Sequence, residues 1–158
     1  MRTDLRSIVD CLEKTPEILI QLLDDIPKAV RHDQRRKGKW SIHENACHLA
    51  QAEVMIHDRF RVFEVEARPV FEPYIPGETF EQDLRSLDLE GELVGFQVLR
   101  AQTVDQLRQF TPDIWAKSAT HPQYRIYNPG ILARHTLMHD HLHMYRMEEL
   151  WLSHDEYL

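Results

Sequence analysis

Apolar residues recur at three- and four-residue steps through almost the whole chain, and no long run alternates apolar with polar positions. The first period belongs to helices that bury one stripe, the second to strands that bury one face. With only 5 glycines in 158 residues, the chain reads as all-α. Leu5, Ile8, Leu12, Leu19, Leu22 and Ile26 form one stripe of a first helix. Pro16 has no N–H to donate and is expected to kink or restart that helix, with Thr15 as its cap, while Pro27 marks its end. A basic loop follows.

The second helix opens at Trp40-Ser41-Ile42-His43-Glu44. Ser41 at the N-cap and Glu44 three residues on make a capping box, each side chain serving the other's backbone amide. Ile42, Ala46, Leu49, Ile56, Phe60 and Phe63 continue the stripe, with Glu53 inside it. From about Arg68 to Asp88 the period fails, and Pro69, Pro73, Pro76 and Gly77 fall close together. Extended, such a connection reaches some 65 Å at about 3.3 Å per residue. A 25-residue helix is only about 37 Å long. The segment can therefore run the length of a bundle, which allows a crossover instead of a hairpin. A short helix is expected within Phe80–Leu84.

The third helix runs through Leu89, Leu93, Phe96, Val104 and Leu107, with Arg100 interrupting its stripe, and Thr111-Pro112 ends it. The fourth starts at Asn128-Pro129, cap and first helical residue. It continues through Leu132, Met138, Leu142, Met147 and Leu150. The expectation is one domain over residues 1–158, a four-helix bundle with a long crossover between helices two and three.

Charge narrows the function. The formal net charge is −7, and the one basic cluster, Arg31, Arg35, Arg36, Lys37 and Lys39, is short. A nucleic-acid binder would show a basic stripe. No apolar run reaches the roughly 18 residues of a membrane span, and no signal-peptide core opens the chain. Cys11 and Cys47 are too few for a disulfide framework. A cytoplasmic protein is expected, with each cysteine a small buried hydrophobe.

Ten histidines stand in the chain, and their placement matters more than their number. His135, His139 and His143 are each four residues apart and stack on one face of the last helix. An i, i+4 pair can aim two imidazoles at one ion. All three cannot share it, since the outer two stand about 12 Å apart. The pair is either His135 with His139 or His139 with His143. Leu132 and Leu150 put that face toward the core, where imidazoles need partners. A metal is one such partner; water and carboxylates at a polar bundle end are another. A third ligand could come from His43, His48 or His57 on the second helix. At 100° per residue His48 lies roughly 110° from the centre of the stripe, and His57 lies nearer.

Trp40-Ser41-Ile42-His43-Glu44-Asn45-Ala46-Cys47-His48-Leu49-Ala50-Gln51-Ala52-Glu53 resembles the second-helix pattern of the DinB-like family. Phe96-Gln97-Val98-Leu99-Arg100-Ala101 is similar to its third-helix segment, and His139-Asp140-His141-Leu142-His143 to its closing histidine pair. The similarity covers nearly the whole chain in order and spacing, in the subgroup that shares the bundle of bacterial thiol-dependent S-transferases. It departs from the family pattern at Met138 and Leu142, neither of them a ligand. The resemblance implies a four-helix bundle with the same crossover and three histidine ligands, here His48, His139 and His143. His135 then falls beside the site or in the core. It also implies zinc or nickel with an open coordination position, and a homodimer.

Glu53 and Arg100 are charged residues in apolar stripes, so each needs a partner if buried. Either they orient a ligand or bind substrate, or they pair with each other and fix helix register. Three histidines without an evident fourth ligand favour an open site that makes a nucleophile of water or a thiol. The expectation is a metal-dependent thiol S-transferase or hydrolase acting on a small molecule, with a low-molecular-weight thiol as a candidate partner. The alternatives are a non-enzymatic metal- or ligand-binding bundle and a metal-free interaction module.

Overall fold

The computed structural model describes residues 3–73 and 83–158. Four long helices carry it: α1 (Thr3–Asp25), α2 (Ile42–Val65), α3 (Leu89–Gln109) and, after the single turn α4 (Pro112–Trp115), α5 (Pro129–Leu152). Among the described residues there is no β-strand, only isolated bridges joining Val70 to Thr120 and His121 to Tyr124.

Local chemistry sets the helix ends. Ser41 Oγ accepts from the Glu44 amide at 3.2 Å, and Glu44 accepts from the Ser41 amide at 2.8 Å, completing the capping box. Asn128 caps α5 through the Ile131 amide, with Pro129 in the first turn. Asp88 caps α3 in the same way. Thr111-Pro112 does more than follow α3, because Thr111 caps α4.

Pro16 neither breaks nor restarts α1, which runs through it. The carbonyl it leaves without an amide donor is that of Leu12. This oxygen instead accepts from Thr15 Oγ1 at 3.0 Å and from Arg100 Nη1 at 3.4 Å. Thr15 is thus an interior residue and not a cap, and the proline is tolerated because its orphan acceptor is served.

Helices α3 and α5 each pack between α1 and α2. Contacts rise together along α2 and α3, from Gln51 with Glu92 through Glu53 with Arg100 to Glu64 with Gln106, so these neighbours are parallel. By the same test α1 is antiparallel to α3 and α2 to α5. The chain after α2 must return the full length of the bundle. It does so by Leu84, whose carbonyl lies 3.1 Å from His43 Nε2, about 33 Å back along α2 from Val65. The crossover is therefore as expected. Residues 80–82 of the expected short helix lie outside the described residues; Leu84–Ser86 forms a 3-10 turn.

Two apolar clusters fill the interior. One holds Leu12, Ile56, Phe60, Phe63, Leu107 and Leu132, the other Leu19, Leu23, Ile42, Leu49, Phe96 and Met147. Each large side chain so buried contributes roughly 1.5–3 kcal/mol. Between them lies a layer of Thr15, Glu53, Arg100, Thr103 and Asp140, every one of them buried. Some stripe assignments shift. Val9 and Leu23 join Leu12 and Leu19 as buried apolar members of α1, while Leu5, Ile8 and Leu22 lie partly buried at its flank. Met138 and Leu142 are exposed, because the buried stripe of α5 runs through Thr136, Asp140 and His143 instead. Cys47 is buried as expected, but Cys11 is exposed on α1.

Candidate metal centre

His48 on α2 and His139 and His143 on α5 face one another across the antiparallel pair. Each offers one nitrogen, and these atoms lie within 4.8 Å of one another. His48 Nε2 is 3.1 Å from His139 Nε2. Two imidazole nitrogens bound to a tetrahedral zinc at 2.0–2.1 Å would stand about 3.3 Å apart, so the rings need little movement to share an ion.

His48 lies far round from the apolar stripe of α2, yet it is 5% exposed. Every residue from Ser41 to Ala50 is buried. The basic loop and Trp40, the turn at Leu84 and helix α5 enclose this end of α2, so a single-stripe argument fails there. Trp40 packs its ring on His48 at 4.5 Å and on His143 at 5.9 Å between centroids.

The three rings are held neutral. Burial, then the neighbouring His139, brings His48 down to about 4. Burial, followed by His139, His48 and Arg146, brings His143 down to about 2. His139 is lowered mainly by burial. Neutral imidazole is the form that binds a metal. Asn45 Oδ1 accepts from His143 Nδ1 at 2.7 Å, which leaves Nε2 of that ring with its lone pair. His139 Nδ1 is buried with no hydrogen-bond partner. A ring with one nitrogen facing another imidazole and the other unpaired is poorly served as a structural residue. The donor set fits a divalent ion.

The other candidate histidines are engaged elsewhere. His57 Nδ1 meets Thr103 Oγ1 at 3.1 Å, toward α3. His43 lies against Leu84, Cys47 and the ring of His32. His135, one turn before His139, packs its ring at a tilt beside Tyr124 and stays outside the cluster. It lines a pocket of about 150 Å³ that opens beside His48 and His139, with Ala52, Met55, Ile56 and Leu132 as apolar walls.

Glu53 and Arg100 do pair with each other, through Nε to Oε1 at 3.0 Å and Nη2 to Oε2 at 2.7 Å. Asp140 completes the arrangement, accepting from Arg100 Nη1 at 2.6 Å and from Thr15 Oγ1 at 3.0 Å. Burial works against the guanidinium charge, but Asp140 and Glu53 outweigh it and raise the pKa. The layer links α1, α2, α3 and α5 and holds the backbone on which His139 and His48 stand. Sequence reasoning missed Asp140 and Asn45. Their signal was position: Asp140 follows Thr136 by one turn, and Asn45 precedes His48 by three residues on the same side of α2.

No helix among the described residues is long and apolar enough to cross a membrane. No curated protein matches the sequence at a significant level. The solved structure of YfiT from Bacillus subtilis superposes with a TM-score of 0.83 over 95% of this chain and 87% of that one, at 22% identity. YfiT is described as a probable metal-dependent hydrolase with an unusual four-helix bundle topology. That likeness shows the fold. The DinB superfamily model matches residues 12–147, a span that takes in the buried ionic layer and all three clustered histidines. By that match the chain belongs to the DinB superfamily.

Proposed function

We propose that His48, His139 and His143 hold one divalent cation and that the chain is a metal-dependent enzyme of thiol S-transferase or hydrolase type. The observation that carries this reading is the convergence of the three imidazoles, from two helices, within 4.8 Å. Three protein ligands match catalytic zinc sites, which keep a position for water or substrate, whereas structural sites are closed by four. An all-imidazole set suits zinc or nickel. Bound there, such a cation would supply Lewis-acid stabilisation and lower the pKa of a water or thiol at the open position.

The chain's own residues prepare the rest. Asn45 fixes the His143 tautomer, Trp40 covers one side of the rings, and the pocket beside His48 and His139 accepts a small apolar body. Among the described residues the lining of that pocket holds no carboxylate. His135 is the proton acceptor available there, kept neutral by burial and then by Arg134. Hydrolysis asks for a base positioned on water, whereas a ligated thiol loses its proton readily. With His135 as its one candidate base, the lining accommodates either a ligated thiol or an activated water, and it also suits a bundle that binds metal without turnover.

Metal analysis of protein purified without an affinity tag tests the reading. Near-stoichiometric zinc or nickel is expected, lost in His48→Ala, His139→Ala and His143→Ala and kept in His135→Ala and His57→Ala. Metal-free wild-type protein would remove the proposal, and loss with His57→Ala but not His48→Ala would move the third ligand. Transfer of a thiol to an electrophile by the loaded protein separates enzyme from binding bundle. We extend the proposal to a homodimer on family resemblance, checked by sedimentation velocity, and to a protein without a nucleic-acid partner.

A further inference from the structure

The basic segment between α1 and α2 divides into two parts. Arg31 donates to the carbonyls of Leu23 and Ile26 at the end of α1. Arg35 donates to those of Leu150 and Ser153 at the end of α5, and to Asp155. These two arginines serve orphan carbonyls at the negative ends of helices. Of carbonyls, Arg36 reaches only that of Tyr157, at 3.5 Å from Nη2, and the Lys39 side chain makes no such bond among the described residues. The Lys39 amide donates to the Arg36 carbonyl at 3.1 Å, with Gly38 at φ +71°, a left-handed residue that closes the turn without strain.

That turn sets Arg36 and Lys39 on the wall of a cavity of about 330 Å³, with Arg146 and Glu149 of α5 and with Trp40 and Asn45. The volume lies within the roughly 300–1,000 Å³ of small-molecule sites. Three cations face one carboxylate there, in a chain whose net charge is −7. Glu149 stands 3.6 Å from Arg36. Arg36 Nε is buried and has no partner. Neither Lys39 nor Arg146 has a carboxylate within ion-pair reach among the described residues. Cations gathered around a cavity repel one another and raise the local anion concentration. Trp40 adds a flat apolar wall.

We propose that this cavity binds the dianionic group of a small organic molecule, a phosphate or a dicarboxylate, held by Arg36, Lys39 and Arg146 with its carbon skeleton against Trp40. Arginine forks match the paired oxygens of either group. The site does not depend on metal at the histidines, but it shares its wall with them. Trp40 packs on His48 and His143, and Asn45 holds the His143 ring.

The test titrates inorganic phosphate and, separately, succinate into the full chain at constant ionic strength. The indole N–H resonance of Trp40, assigned by its loss in Trp40→Phe, reports binding. A saturable shift with an affinity in the millimolar range is expected for at least one anion. It should weaken at least fivefold in Arg36→Gln and in Arg146→Gln, and persist in Arg108→Gln, whose side chain binds Asp10 and Glu13 toward the other end of the bundle. Tighter phosphate binding identifies a phosphorylated ligand, and tighter succinate binding a dicarboxylate. Arg146→Gln alters an exposed helix side chain, so it keeps the test decisive if Arg36→Gln fails to fold. No saturation by either anion up to about 50 mM, a free energy too small for a built site, overturns the proposal. So does equal affinity in the wild type and both arginine variants.

Discussion

Asn45 and His143 are locked in one orientation: the amide oxygen accepts from the ring Nδ1 at 2.7 Å, and the amide nitrogen cannot take its place. That nitrogen donates to the Ser41 carbonyl at 2.8 Å and lies 3.4 Å from the Trp40 carbonyl. The start of α2 thereby dictates which nitrogen of His143 is free. Asn45→Ala should leave the fold in place and weaken metal binding by roughly 10–100-fold, the usual effect of removing a group that orients a ligand. Chelator competition measures it, and an unchanged affinity would show that the tautomer is set by something else.

Stability of the metal-free protein should fall in acid. His48 at about 4 and His143 at about 2 stand below the 6.5 of an unperturbed imidazole. Between those values the unfolded chain binds more protons than the folded one. Stability is therefore complete above about pH 6.5 and lost as the pH falls toward the folded values. Each ring contributes a slope of up to about 1.4 kcal/mol per pH unit. The urea midpoint should drop between pH 6.5 and 4.5, and His48→Gln should flatten the drop. A midpoint as high at pH 4.5 as at pH 7 contradicts this.

Removing Arg100 should be among the most damaging single changes. Arg100→Met leaves the buried carboxylates of Glu53 and Asp140 uncompensated, and breaking a buried pair in this way costs about 3–5 kcal/mol. Adding Glu53→Gln and Asp140→Asn should recover part of that loss. Urea unfolding of the single and triple variants decides it, and a loss under about 1 kcal/mol for Arg100→Met would mean the layer is not holding the bundle.

The two thiols should react very differently. Burial, aided by Glu92, Asp88 and Glu44, pushes Cys47 up to about 12, while Cys11 is exposed. Only a thiolate reacts. A colorimetric thiol reagent at pH 8 should titrate one group quickly in the native protein and two in denaturant. Fast modification of both would require the start of α2 to open.

The fold was legible because its signals were local. The Ser41–Glu44 box, the Asn128-Pro129 start and the proline-rich break each act within a few residues, and the length of that break already allowed a crossover. The site was legible only in part. Spacing put His139 and His143 on one face but could not separate them from His135, and the stripe on α2 pointed away from His48. What buries His48 comes from α5, Trp40 and the Leu84 turn, contacts that no period within α2 encodes. Asp140 was overlooked for a related reason. Met138 and Leu142 look like the core face of α5 until the helix is docked, and only then does the Thr136–Asp140 side become the interior.

The parallel course of α2 and α3 gives the site a place in time as well as in space. His48 and His139 are 91 residues apart in sequence, and a flexible loop of that length loses on the order of 4 kcal/mol of entropy when its ends are joined. During synthesis the first histidine emerges long before the other two. No amino-terminal fragment ending before α5 contains the assembled triad. Loading of the proposed site would therefore require α5, and a fragment that stops short of it has no such triad to offer a passing ion.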